Sequence, residues 1–184
     1  MLKSIFTLIT ILPLTLTLSG SEADTISPQG RATFMLPTMT PNEYQKITTS
    51  AELRKQIVLE ANIPDQNWDV GHRGVDLKVD LGLYAPEAGI ITFCGQVVDR
   101  QVLTIKHPGG LKTTLEPVTC TLTAGTQVAK GEVVGSLAAT PEHCAELSCV
   151  HWGLKQESEY LDPIDYIEFG EAIVLFPRDW QPHP

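Results

Sequence analysis

Two short stretches far apart in the chain carry side chains suited to binding a metal ion. They are Gly71-His72-Arg73-Gly74-Val75-Asp76-Leu77 and Cys149-Val150-His151-Trp152-Gly153. Together they offer two imidazoles and one carboxylate, His72, Asp76 and His151. This is the donor set of an open zinc site, with three protein ligands and a fourth position for water. Neutral imidazole and ionised carboxylate are both available at neutral pH, as such a site requires. Plainer readings fit the same residues. Asp76 could bond backbone amides in a turn beside an exposed His72, and His151 could be a core histidine next to Trp152. Cys149 stands two residues before His151, so in a strand the two share one face.

Three residues so separated meet only if the elements between them bring them together. From Gly74 onward the apolar pattern is that of strands. β-Branched or alternating runs fall at 90–93, 97–98, 102–105, 111–115, 128–137, 150–154 and 173–176, with Pro108-Gly109-Gly110 and Lys130-Gly131 as turns. Short strands with a turn every eight to twelve residues point to an all-β sandwich or barrel. Upstream, 24–41 is rich in Ser, Thr, Pro and Gly and reads as an extended arm. Thr49 and Glu52 have capping-box spacing, and Leu53 and Ile57 follow at i and i+4. This predicts a short helix over 50–57, unless 57–59 instead opens a strand. The loop 64–68 leads into the first metal stretch, with Trp68 read as a packing residue rather than a lid. A brief helical turn is expected within 160–166.

The 184 residues suit one domain with a small appendage, and 42% hydrophobic and 19% charged residues are ordinary for a globular chain. The net charge of −9 excludes nucleic acid as a natural partner. It would also repel anionic wall polymers at long range, so binding to a wall would need a shaped pocket. Residues 1–23 read as a secretory signal: Lys3, an apolar run, and Ser21-Glu22-Ala23 before the expected cut. Removing them takes away one Lys and one Glu, so the acidity belongs to the exported part, which is left with no stable membrane span. The expected localisation is secreted and cell-wall associated. All four cysteines, Cys94, Cys120, Cys144 and Cys149, lie in that part and suggest two disulfides. Three pairings are possible; Cys144–Cys149 with Cys94–Cys120 is favoured. Cys149 could otherwise be a fourth metal ligand or a free thiol.

The stretch His72-Arg73-Gly74-Val75-Asp76-Leu77 resembles the His-x-Gly-x-Asp signature of the lysostaphin/LytM-type zinc endopeptidases, the duplicated hybrid motif peptidases. Further pieces resemble that family in order: 85–95, 103–114, 125–135, 150–155 and Asp162-Pro163. The likeness covers roughly residues 68–177. Thr113-Thr114-Leu115-Glu116-Pro117-Val118 and Cys149-Val150-His151-Trp152-Gly153 look most like a divergent branch of secreted actinobacterial proteins. The resemblance implies a barrel-sandwich hybrid of short antiparallel strands and zinc held by His72, Asp76 and His151. It also implies hydrolysis of peptidoglycan peptides by zinc-activated water. Cys149 stands where the family has the first His of His-x-His, and Pro117 where it has the His of Tyr-x-His. Glu116, beside Pro117, and His143, beside Cys144, are the candidate substitutes as general base or transition-state donor. His107 matches a family His outside the metal motifs and is read as structural.

The expected organisation is a signal peptide at 1–23, an N-terminal arm at 24–67, the peptidase-like domain at 68–177 and a tail at 178–184. The competing function is a catalytically inactive zinc-binding domain that binds the cell wall or a wall enzyme. The glycine pattern of 125–135 also resembles half of a lipoyl or biotinyl carrier, but no lysine stands in the tip context such a carrier needs.

Overall fold

The computed structural model of the protein describes residues 33–80, 82–139 and 148–167. Two short helices open the described part. The first, α1 (Pro41–Tyr44), is capped by Thr40 with Glu43 closing a capping box. The second, α2 (Ser50–Arg54), is capped by Thr49 with Glu52 in the same role. The second is the helix expected from sequence. It stops at Arg54 because Ile57–Leu59 forms a strand, β1. The first was not foreseen: Thr40 and Glu43 have the same spacing, but Pro41 there was read as the end of an arm.

Ten further strands follow: β2 (Val75–Lys78), β3 (Gly82–Tyr84), β4 (Gly89–Val97), β5 (Arg100–Lys106), β6 (Leu111–Glu116), β7 (Val118–Thr119), β8 (Gln127–Val128), β9 (Val133–Leu137), β10 (Cys149–Gln156) and β11 (Glu159–Leu161). They make two antiparallel sheets. The larger runs β1-β2-β10-β6-β5-β4-β8, with β11 also on β10; the smaller runs β3-β9-β7. This is the all-β architecture expected from the strand-and-turn pattern. The turn expected at Pro108-Gly109-Gly110 is a single 3-10 turn with Gly109 at φ 77° and Gly110 at φ 88°, a region that favours glycine.

The strands alternate as a sheet with one buried face must. On β6, Leu111, Thr113 and Leu115 face inward, while Lys112, Thr114 and Glu116 face outward. On β10, Val150, Trp152 and Leu154 are fully buried. The core also holds Phe34, Leu36, Val75, Leu77, Leu83, Ile91, Leu103, Ile105 and Leu115. Phe34 and Leu36 belong to the stretch read as an arm. Phe34 packs edge-on to Trp152 and to the ring of His107. Cys94 and Cys120 form a disulfide, as expected. Cys94 pairs with Leu103 on β5, whose side chain is in the core, so the bridge joins the inner faces of the two sheets. The strand expected at 173–176 lies outside the described residues.

Candidate metal centre

Asp76 and His151 sit directly opposite each other on the paired strands β2 and β10. Their side chains point to the outer face, because Val75, Leu77, Val150 and Trp152 on either side take the inner one. His72 precedes β2 and is fixed by a two-way backbone pairing with Asn62, both N–O distances being 2.9 Å. Three residues separate His72 from Asp76, and the turn between them lies against β10. A Cβ on Gly74 would fall 2.4 Å from the Trp152 carbonyl oxygen and 2.7 Å from His151 Nε2. Gly74 is therefore glycine because the chain must pass under the His151 ring.

The three donor atoms converge. His151 Nδ1 lies 2.9 Å from Asp76 Oδ1, His72 Nε2 lies 3.1 Å from the same oxygen, and the two ring nitrogens are 3.1 Å apart. Asp76 is almost fully buried, and both histidines are mostly covered. His72 Nδ1 donates to the Glu60 carbonyl oxygen at 2.7 Å. That bond puts the ring proton on Nδ1 and turns the Nε2 lone pair toward the cluster, the usual outer support of a metal-bound histidine. Two ring nitrogens and a carboxylate oxygen thus face one point from a buried position. Such a set needs a cation or shared protons to offset the desolvated charge. Ligands about 2.0–2.1 Å from a tetrahedral zinc stand about 3.3 Å from one another, close to the spacing here. The residues fit the metal expected from sequence, with one approach left for water.

The other expected residues fall as follows. Glu116 pairs directly with His151 on the other side of β10, so Asp76, His151 and Glu116 form one row across β2, β10 and β6. Its carboxylate is drawn to Arg100, with Nη1 3.3 Å from Oε1, and takes no part in the three-donor cluster. Cys149 shares the outer face with His151 and is disulfide-bonded, which removes it as ligand or free thiol. Its expected partner, Cys144, and the candidate base His143 lie outside the described residues. His107 is buried between the Ala88 carbonyl oxygen, 2.9 Å away, and the Thr113 hydroxyl, 2.9 Å away. Burial holds its pKa below the ordinary value.

Trp68 is 81% exposed, which corrects its reading as a packing residue. The loop that carries it is held instead by Arg73, whose guanidinium donates to the Asn67 and Asp69 carbonyl oxygens at 2.7 and 2.6 Å. Glu60 and Asn62, which orient His72, were missed from sequence. They act through their backbone, so residue type gives no signal.

The chain is 35% identical over 118 residues to uncharacterized proteins of Mycobacterium tuberculosis and Mycobacterium bovis. The match takes in 61% of this chain and 47% of theirs, so the chain spans about half the length of the curated relatives it matches. Among solved structures, Helicobacter pylori Csd3 superimposes with a TM-score of 0.55 at 17% identity, over 77% of this chain and 36% of that one. The SpoIIQ–SpoIIIAH pore-forming complex gives 0.53 at 16%, over 74% and 92%. A zinc-containing peptidase from Vibrio cholerae gives 0.52 at 16%, over 74% and 44%. At these identities the likeness is one of fold. The profile of Peptidase family M23 matches residues 70–163, from just before His72 to just past β11 and so across the whole three-donor cluster, and the chain belongs to that family.

Proposed function

We propose that this chain is a secreted zinc metalloendopeptidase-like protein that acts on peptidoglycan peptides. The observation that carries the reading is the convergence of His72 Nε2, Asp76 Oδ1 and His151 Nδ1, with His72 aligned by the Glu60 carbonyl. A bound zinc ion supplies a Lewis acid there, lowering the pKa of water and polarising a peptide carbonyl. The remaining chemistry falls to the chain's own groups. Glu116, in the same row as His151, is the carboxylate assigned to accept a proton, and its Oε1 lies 3.3 Å from Arg100 Nη1. His143 is the second candidate. The outer face of β6, with Glu116, Thr114 and Lys112 in line, offers a floor on which an extended peptide lies beside the cluster.

The second reading is a zinc-binding but inactive domain that binds the wall or a protein partner. It is favoured by the two positions at which the family's histidines are replaced: Cys149 is locked in a disulfide, and Pro117 has no proton to exchange. One of the similar folds belongs to a complex of two proteins, the SpoIIQ–SpoIIIAH assembly. The deciding experiment is metal analysis of protein purified without chelators, alongside a digest of purified peptidoglycan. Zinc near one equivalent with release of peptide ends supports the peptidase. Zinc without release supports the binding domain. Less than about a tenth of an equivalent, with no uptake on titration, overturns both zinc readings, since structural and catalytic zinc sites alike need their ligands occupied.

A further inference from the structure

The outer face of the large sheet carries a second ordered feature. Lys155 on β10 is directly opposite Lys112 on β6, and Lys112 is directly opposite Lys106 on β5. Three lysines thus form one row across three adjacent strands. Side chains so placed have Cβ atoms about 4.5–5.5 Å apart, and like charges in that relation destabilise a sheet. None of the three forms an ion pair with a carboxylate among the described residues. Lys155 alone has a partner, the ring of Tyr160, 4.7 Å from its Nζ.

The row is parallel to the row Asp76–His151–Glu116 and four residues further along β10, a separation of about 13 Å. Between the two lies a third row, Gly153–Thr114–Thr104, continued by Phe93 on β4. Gly153 is buried beneath the Arg73 carbonyl oxygen, whereas Thr114 and Thr104 are short and half-buried, so the low floor between the donor cluster and the lysines runs along β6 and β5.

We infer that the lysine row is a carboxylate-binding subsite for an acidic peptide that lies extended along β6, its anionic groups about four residues from the bond presented to the metal centre. This rests on the peptidase-like reading and adds to it a preferred substrate class. The shared chemistry is that of an anion on ammonium groups. A peptide is the occupant because the floor connects the lysines to the donor cluster on one face, at a spacing that an extended chain matches.

The test uses the full chain loaded with zinc. Fluorescein-labelled Gly-Gly-Ala-Ala-Glu-Glu and Gly-Gly-Ala-Ala-Gln-Gln are titrated by anisotropy. The acidic probe is expected to bind roughly tenfold tighter at low ionic strength, an advantage that salt at about 0.5 M removes by screening. In the variant K106Q/K112Q/K155Q the preference falls below about twofold, while zinc uptake is unchanged and the thermal midpoint is equal or higher, because the repulsion is gone. A control variant, K46Q/K55Q, keeps the preference. Equal binding of the two probes, or a preference that survives in the triple variant, overturns the inference. So does sodium polyphosphate binding more tightly than the acidic probe through the same lysines, since the occupant is then a phosphate polymer. His151→Ala, without zinc, is expected to keep the preference, because the lysines themselves hold the anionic groups. Wild-type protein that takes up zinc but shows no preference removes the subsite and leaves the peptidase-like reading intact.

Discussion

The role proposed for His151 rests on a single ring nitrogen, and the residues that aim that ring are testable one at a time. His151→Ala removes one of three donors and is expected to abolish zinc uptake, measured by metal analysis after dialysis. Gly74→Ala leaves every donor in place, but its methyl group meets the Trp152 carbonyl and the His151 ring. The carbonyl is backbone and cannot swing aside, so a loss of about 1–3 kcal/mol of stability is expected together with weakened zinc binding. Glu116→Gln should leave zinc uptake unchanged and lower peptide hydrolysis by roughly 10²–10⁴ if Glu116 is the proton acceptor. Hydrolysis equal to wild type would assign that role elsewhere, His143→Ala being the next variant to assay. The grouping of His72, Asp76 and His151 was legible only through the ordered family resemblance, since their spacing alone fits a turn aspartate beside an exposed histidine. Trp68 was misread because an aromatic residue in a loop looks the same on paper whether it packs or projects.

At the scale of elements, two couplings hold the site's platform. The Cys94–Cys120 bridge closes a separation of 26 residues and joins the sheets through the core. Replacing both cysteines by alanine is expected to cost about 3–4 kcal/mol, read from denaturant unfolding under non-reducing conditions. His107 ties β6 to the loop before β4 through Thr113 and Ala88. Its folded pKa is depressed, so the unfolded chain takes up a proton first as pH falls. The stability it contributes is full above the unfolded value of about 6.5 and is lost as pH drops from there through the lower folded value. The unfolding free energy of wild type should therefore fall more steeply between pH 7 and 5 than that of His107→Gln. The strands themselves were legible from alternation at Leu111, Thr113 and Leu115 and from turn glycines. The first short helix was not, since its four residues carry too little pattern beside Pro41 to outweigh a loop reading.

For the molecule as a whole, metal binding and folding are one equilibrium. Zinc that binds only the folded chain stabilises it by about 4 kcal/mol at a thousandfold excess over Kd, so the thermal midpoint should rise with zinc in wild type and stay flat in His151→Ala. What remained illegible at this scale is register. Lys106, Lys112 and Lys155 are spread over fifty residues, and nothing in their spacing announces that two strand pairings put them shoulder to shoulder. The same holds for Glu116 beside His151.

Strand β10 is hydrogen-bonded along both edges, to β2 and β11 on one side and to β6 on the other. It carries the fully buried Trp152 inward and His151 and Lys155 outward on alternate positions. An inserted or deleted codon within it would exchange the two sides, sending the indole into solvent and an imidazole into the apolar interior. Its length is thereby frozen. Descendants of this gene must absorb changes in length in the loops.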